Sequence, residues 1–142
     1  MPARPEPLLI IPAMGVHVFH IDRPDLMMPI IARDARLVVW PGRGSQVANM
    51  NYVDMQAGER NVPHNHPGSE DTLYVIDGRG TVEDLTNEVE LPFEAPCVVH
   101  VPVGLWHAVS ANRGSRIESV GGPSPTDWNM MMRVGALQRL KV

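Results

Sequence analysis

Short apolar runs broken by turn residues set the character of this chain. Runs rich in Val, Ile, Leu and Met occupy residues 8–11, 16–21, 36–40, 46–56, 72–76, 80–85, 97–101, 106–111, 116–120 and 128–134. Between them stand Pro12 and Gly15, Pro41-Gly42-Arg43-Gly44, Ala57-Gly58, Asp77-Gly78, Pro96 and Pro102. About ten such runs at roughly 8–12-residue spacing predict an all-β protein, either a sandwich or a barrel. No stretch sustains apolar residues at i, i+3, i+4 and i+7, and 14 prolines with 12 glycines argue against long helices. Residues 24–33 leave room for one short helix, kept brief by Pro24 and Pro29. Runs 72–76 and 80–85 are predicted to pair as a hairpin through Asp77-Gly78-Arg79-Gly80. If 128–134 is a strand, Trp128, Met130 and Met132 share one face, and Asn129, Met131 and Arg133 the other. Such methionines read first as core or subunit-interface residues and second as pocket lining.

Composition narrows the class. At 142 residues the chain is one domain, large enough to bury a core without staples. We divide it into an N-terminal part, 1–40, read as an arm or extra strands packing on the barrel or on a partner subunit, and a barrel domain, 41–142. The net charge is −4 with scattered arginines, which is not the footprint of a nucleic-acid binder. Cys97 is the single cysteine, so no internal disulfide can form, as expected in a reducing compartment. The run 8–11 is too short to span a membrane, is followed by Pro12 and lacks a signal-peptide layout. A cytoplasmic protein with no membrane partner is the expectation.

Histidines carry the candidate chemistry. His64 and His66 flank Asn65. In extended chain, residues i and i+2 point the same way, with Cα atoms roughly 6.5–7 Å apart. Two imidazoles so placed can converge on one ion at roughly 2.0–2.1 Å each. Pro67-Gly68 then turns the chain, and two carboxylates follow, Glu70 and Asp71. Further on, Pro102 and Gly104 make a turn that delivers His107 to the start of the next strand. Three imidazoles and one carboxylate make a mixed site suited to one divalent transition-metal ion: Fe, Mn, Ni, Zn or Cu.

These segments resemble the two motifs of the cupin superfamily. Gly58, His64-Asn65-His66, Glu70/Asp71 and Gly78 resemble the first motif; Pro102-Val-Gly104-Leu-Trp-His107 resembles the core of the second. The resemblance covers roughly residues 55–112, with a short spacer, 79–101, as in compact bacterial monocupins. It implies a double-stranded β-helix, or jelly-roll barrel, and a homodimer. It also implies three histidine ligands, His64, His66 and His107, with one carboxylate. Pro96 stands where the second motif usually has glycine, and Ala111 where it often has asparagine.

The carboxylate is ambiguous. Spacing back from Gly78 selects Asp71, whereas the family's usual glutamate favours Glu70. Strand parity adds a physical argument. If Asp71 faces inward, so do Leu73 and Val75, giving an apolar lining below the carboxylate. If Glu70 does, Thr72, Tyr74 and Ile76 follow it. Aspartate is one methylene shorter, so three outcomes stay open: direct binding by Asp71, Asp71 acting through water, or Glu70 with a bulge correcting the register.

Other residues read as structural. His100, in the run before Pro102, reads first as a hydrogen-bonded strand histidine and second as a pocket residue. His17 and His20 have no ligand-like spacing. Cys97 has no adjacent base and reads as an inert thiol. Gly42-Arg-Gly44-Ser lacks the rest of a phosphate loop and reads as a turn. By parity, Leu73, Val75 and Val109 line the cavity, and Trp106 points away from it.

The family resemblance implies a metal-dependent enzyme acting on a small organic molecule through Lewis-acid or O₂-activating chemistry. An apolar lining favours a dioxygenase or lyase over a sugar isomerase or epimerase, which would need more inward polar groups. A non-catalytic metal-bound ligand binder or sensor is the alternative from a different class.

Overall fold

A computed structural model of the chain describes residues 15–133 and 135. The described residues form nine strands, one 3-10 turn (Pro41–Arg43) and one short α-helix. They are β1 (Leu26–Met27), β2 (Asp34–Val39), β3 (Met50–Met55), β4 (Glu70–Asp77), β5 (Arg79–Asp84), β6 (Val89–Glu94), β7 (Cys97–Val101), β8 (His107–Ala111), β9 (Ile117–Ser124) and α1 (Trp128–Arg133). Six strands make one antiparallel sheet in the order β1-β2-β3-β9-β4-β7; three make a second in the order β6-β5-β8. The all-β expectation holds, and the two sheets make a double-stranded β-helix.

Alternation builds the interior. Along β4, Asp71 and Val75 are buried and Leu73 partly so, while Glu70, Thr72, Tyr74 and Ile76 are exposed. Val99 and Val101 of β7, Val82 of β5, Val109 and Ala111 of β8, and Ile117 of β9 meet them across the barrel. Val53 and Met55 of β3 close that core, and Leu37, Trp40, Met28 and Met131 extend it. Residues 26–39 are part of this main sheet: β2 pairs with β3 over five residue positions, and β1 with β2 over two.

Several local expectations fail for identifiable reasons. Runs 72–76 and 80–85 are not a hairpin. Gly78 is a corner at which the chain leaves one sheet for the other: its φ is +99°, and a Cβ there would collide with the Arg116 carbonyl. The real hairpin is β5 with β6, a strand absent from the predicted runs and carrying Pro92 at its middle. Pro92 is tolerated because β6 is an edge strand, where a missing N–H need not break a ladder. Residues 128–133 form α1, not a strand; Asp127 Oδ1 accepts from the N–H groups of Asn129 (3.0 Å) and Met130 (3.2 Å), a side-chain cap that starts the helix. Residues 16–21 are not a strand, the strand in 46–56 begins only at Met50, and 24–33 holds β1 and turns in place of a helix. The run 8–11 and Val134 lie outside the described residues.

Candidate metal centre

The two histidine segments meet as an antiparallel bridge. His64 N–H donates to the His107 carbonyl (3.0 Å) and His107 N–H to the His64 carbonyl (2.9 Å), placing the loop that carries His64 and His66 alongside β8. The His66 carbonyl in turn accepts from Gly104 (2.9 Å), tying the first loop to the turn before His107. The three imidazole centroids lie 4.4 Å (His64–His107), 4.9 Å (His64–His66) and 5.3 Å (His66–His107) apart. Asp71 completes the group from β4: its Oδ2 is 3.3 Å from His66 Nε2 and 3.5 Å from His107 Nε2.

Hydrogen bonds fix which nitrogen faces the centre. Each Nδ1 meets an acceptor on its outer side: the Val62 carbonyl for His64 (2.7 Å), the Leu105 carbonyl for His107 (2.9 Å) and Asp127 Oδ2 for His66 (2.7 Å). An Nδ1–H held in this way leaves the Nε2 lone pair free as a ligand. The centre's own polar atoms are left without partners to match. Buried His66 Nε2 and Asp71 Oδ1 have no hydrogen bond. His66 Nε2 lies near Asp71 without bonding it, an arrangement that suits a cation between them better than a direct contact.

The donor set fits a metal ion. One ligand atom from each of His64, His66, Asp71 and His107 lies within 4.8 Å of every other. Donors about 2.0–2.2 Å from a common ion stand at most about 4.4 Å apart when opposed and closer when adjacent, so the side chains draw inward on an ion. Burial lowers the His64 pKa to about 4, against the hydrogen bond to Val62, and the neighbouring His107 and His66 push the same way. Burial opposes charge on His66 too, but Asp71 and Asp127 outweigh it and raise that imidazole above its ordinary value. Burial alone would raise the Asp71 carboxyl; the His107 and His66 rings beside it prevail and hold it well below the usual carboxylate range.

The remaining sequence candidates separate cleanly. Leu73, Val75 and Val109 line the cavity under the cluster, with Phe93, Val99 and Ile117. Its volume is about 40 Å³, room for roughly three water molecules. Glu70 is exposed, on the opposite face of β4 from Asp71. His100 is exposed, lies outside this cavity and bonds Thr72 Oγ1 through Nδ1 (2.8 Å), the hydrogen-bonded strand position its first reading gave it; it borders a separate groove with Val98 and Pro102. Trp106 is half-exposed. Met130 of α1 closes one side of the cavity, and it borders, with His64, an outer groove of about 310 Å³ that Trp106, Met132 and Arg133 also line.

Sequence reasoning missed Asp127. It is buried, bonds His66 with one oxygen and caps α1 with the other. The available signal was Ser124-Pro-Thr-Asp127, an N-cap pattern, but alternating Trp and Met residues suggested a strand there instead.

A family model described as a cupin domain matches residues 51–119. No curated protein sequence matches the chain. Among solved structures, the polyketide cyclase RemF from Streptomyces resistomycificus superposes with a TM-score of 0.64 at 15% identity, covering 80% of this chain and 81% of that one. An RmlC-like cupin from Shewanella frigidimarina gives 0.62 at 14%, covering 79% and 93%. A predicted oxalate decarboxylase from Thermotoga maritima gives 0.55 at 16%, covering 66% and 80%. At these identities the likeness shows the fold.

Proposed function

We propose that this chain, a member of the cupin superfamily, is a metal-dependent enzyme acting on a small organic molecule. One observation carries the reading. Three imidazoles are locked by their Nδ1 atoms so that Nε2 nitrogens converge with a buried carboxylate, and His66 Nε2 and Asp71 Oδ1 have no other partner. His64, His66, Asp71 and His107 would hold the ion. A divalent transition metal there would supply Lewis acidity, or oxygen activation if it is iron. His64, the least buried of the four, borders both the inner cavity and the outer groove, so a ligand enters past it.

The walls favour a dioxygenase or lyase. Leu73, Val75, Phe93, Val99, Val109 and Ile117 make the interior mostly apolar, with Asn51, Asn61 and Ser119 as its uncharged polar exceptions, so it offers few partners to a polyol. RemF is a cyclase and the Thermotoga protein a predicted oxalate decarboxylase; at 15–16% identity they keep lyase chemistry in view without choosing it. The narrow cavity also supports a second reading, a metal-bound binder of small ligands without turnover.

A homodimer and a cytoplasmic location complete the proposal. Tyr74, Ile76 and Val98, all exposed, make an apolar stripe on the outer face of β4 and β7, where β7 is the sheet's edge among the described residues. Cys97 is unpaired. No helix among the described residues is long and apolar enough to cross a membrane.

Metal analysis of the purified protein tests the core of this reading, with about one transition-metal ion per chain expected. A chain that refuses Zn, Fe, Mn, Ni and Cu would overturn it. Product formed from a panel of small acids and diketones, with O₂ consumption recorded, then distinguishes oxygenase from lyase; saturable binding without product favours the sensor. Sedimentation showing a monomer would remove the dimer.

A further inference from the structure

The inward face of β3 changes character along its length. Val53 and Met55 are apolar, whereas Asn51, and Asn49 just before the strand, are amides. Asn51 pairs with Gly121, which pairs on its other side with Leu73; two residues on, Pro123 pairs with Asp71. The two amides are therefore level with the carboxylate end of β4, one strand away.

Both amides are buried, Asn49 at 5% and Asn51 at 3% exposure. Asn49 Nδ2 and Oδ1 and Asn51 Oδ1 have no hydrogen-bond partner. They sit together over Gly122, where a Cβ would stand 2.9 Å from Asn51 Nδ2 and 3.3 Å from Asn49 Nδ2. Asn51 lines the same cavity as His64, His66, Asp71 and His107. Asn61, also on that cavity's wall, behaves differently: its Oδ1 accepts from Val109 N–H at 2.9 Å. Leaving buried amides unpaired is costly, and an apolar residue of similar shape would avoid the cost. Unpaired amides kept beside a metal-ligating cluster are better explained by a ligand than by the wall.

We propose that Asn51, with Asn49 packed beside it over Gly122, is the second recognition point for the ligand, which is a small carboxylic acid bearing a further oxygen function, such as a 2-hydroxy or 2-oxo acid. The inference rests on the metal-dependent reading above. The carboxylate goes to the histidine–aspartate centre, and the second oxygen meets the Asn51 amide. An amide both donates and accepts, so it matches a hydroxyl or carbonyl and gains nothing from a methylene. The cavity of about 40 Å³ limits the enclosed part to a few atoms.

The test uses the full chain loaded with zinc and calorimetric titration with three three-carbon acids: lactate, pyruvate and propionate. Propionate lacks the second oxygen. Lactate or pyruvate is expected to bind about tenfold more tightly than propionate, the scale of one net hydrogen bond. Asn51→Leu should bring that preference within about twofold, with zinc content unchanged and the melting temperature equal or higher. Asn49→Leu is the parallel variant if Asn51→Leu fails to fold. Equal binding of the three acids to the unaltered protein overturns the inference. So does a preference that survives in the zinc-loaded leucine variants, since chelation by the metal alone then accounts for it and the amides hold only water. A chain that takes up no zinc overturns the metal reading and this inference with it; a zinc-loaded chain that does not discriminate overturns only this one.

Discussion

The two ends of the barrel interior are built from the same strands and serve opposite purposes. Toward one end, β3, β4 and β8 present Asn51, Asp71 and His107; a few residues along, they present Val53 and Met55, Val75, and Val109 with Ala111. The apolar end is a packed core whose side chains satisfy one another. At the other, polar atoms are buried without protein partners, among them His66 Nε2, Asp71 Oδ1 and both polar atoms of the Asn49 amide. Such groups reduce the stability of the metal-free fold. The difference implies that metal affinity and stability can be altered separately.

The largest effect is expected at the histidine pair across the bridge. His107→Ala should abolish stoichiometric metal, and His64→Ala should cut occupancy sharply, because each removes a donor that no neighbour replaces. Elemental analysis after dialysis checks both. If one variant keeps its metal, the two segments do not share a site and the polar end is not one unit.

Next in size is Asp127→Asn. The carboxylate accepts from His66 Nδ1 at 2.7 Å, which holds the ring with Nε2 free. Asparagine can turn an N–H toward Nδ1, which would then accept and leave the proton on Nε2, the wrong tautomer for a ligand. Residues in this position are typically worth about 10–100-fold in metal affinity, and a competitive chelator titration would measure that. An asparagine oxygen can still cap α1, so helix content should stay unchanged. Unaltered affinity would mean that Asp127 serves only the helix.

The apolar end should respond the other way. Val75 is 1% exposed and forms part of the cavity wall. Val75→Ala is expected to cost about 2 kcal/mol, from lost burial plus the enlarged cavity, and to leave metal stoichiometry at one. For a chain of this length that lowers the melting temperature by roughly 4–8 °C. Loss of metal in this variant would show that the two ends are mechanically coupled.

The sequence was legible where one rule acted alone. Alternation on β4 predicted Leu73 and Val75 facing inward with Asp71, and the His-x-His spacing brought two rings to one centre. It was illegible where rules competed. Pro92 in β6 looks like a strand breaker until the strand is known to be an edge. The glycine-bearing link after β4 looks like a hairpin turn until Gly78 is known to carry the chain from one sheet to the other. In 128–133, alternating Trp and Met mimic a strand, and the cap at Asp127 decides for a helix. Asp127 was missed for the same reason, since its partner His66 is 61 residues away and no local pattern records the pairing.

The smallest effect is expected one residue from the centre. Glu70 and Asp71 are adjacent carboxylates, and spacing and side-chain length disagreed over which belongs to the metal. The backbone separates them. Asp71 pairs with Val101 and Pro123 and faces inward at 6% exposure, whereas Glu70 pairs with Ser124 and is exposed. Between Glu70 and Val75 the pairing of β4 with β9 advances one residue at a time, and the register first shifts between Val75 and Asp77. No irregularity near Glu70 would turn it inward. Glu70→Ala should therefore leave metal stoichiometry unchanged and stability within about 0.5 kcal/mol, the usual range for an exposed site. A Glu70→Ala variant that loses metal would require this strand to slip by one residue when the ion binds, which would also carry Leu73 and Val75 out of the cavity. Elemental analysis of this one variant would therefore test both the identity of the carboxylate and the register of β4.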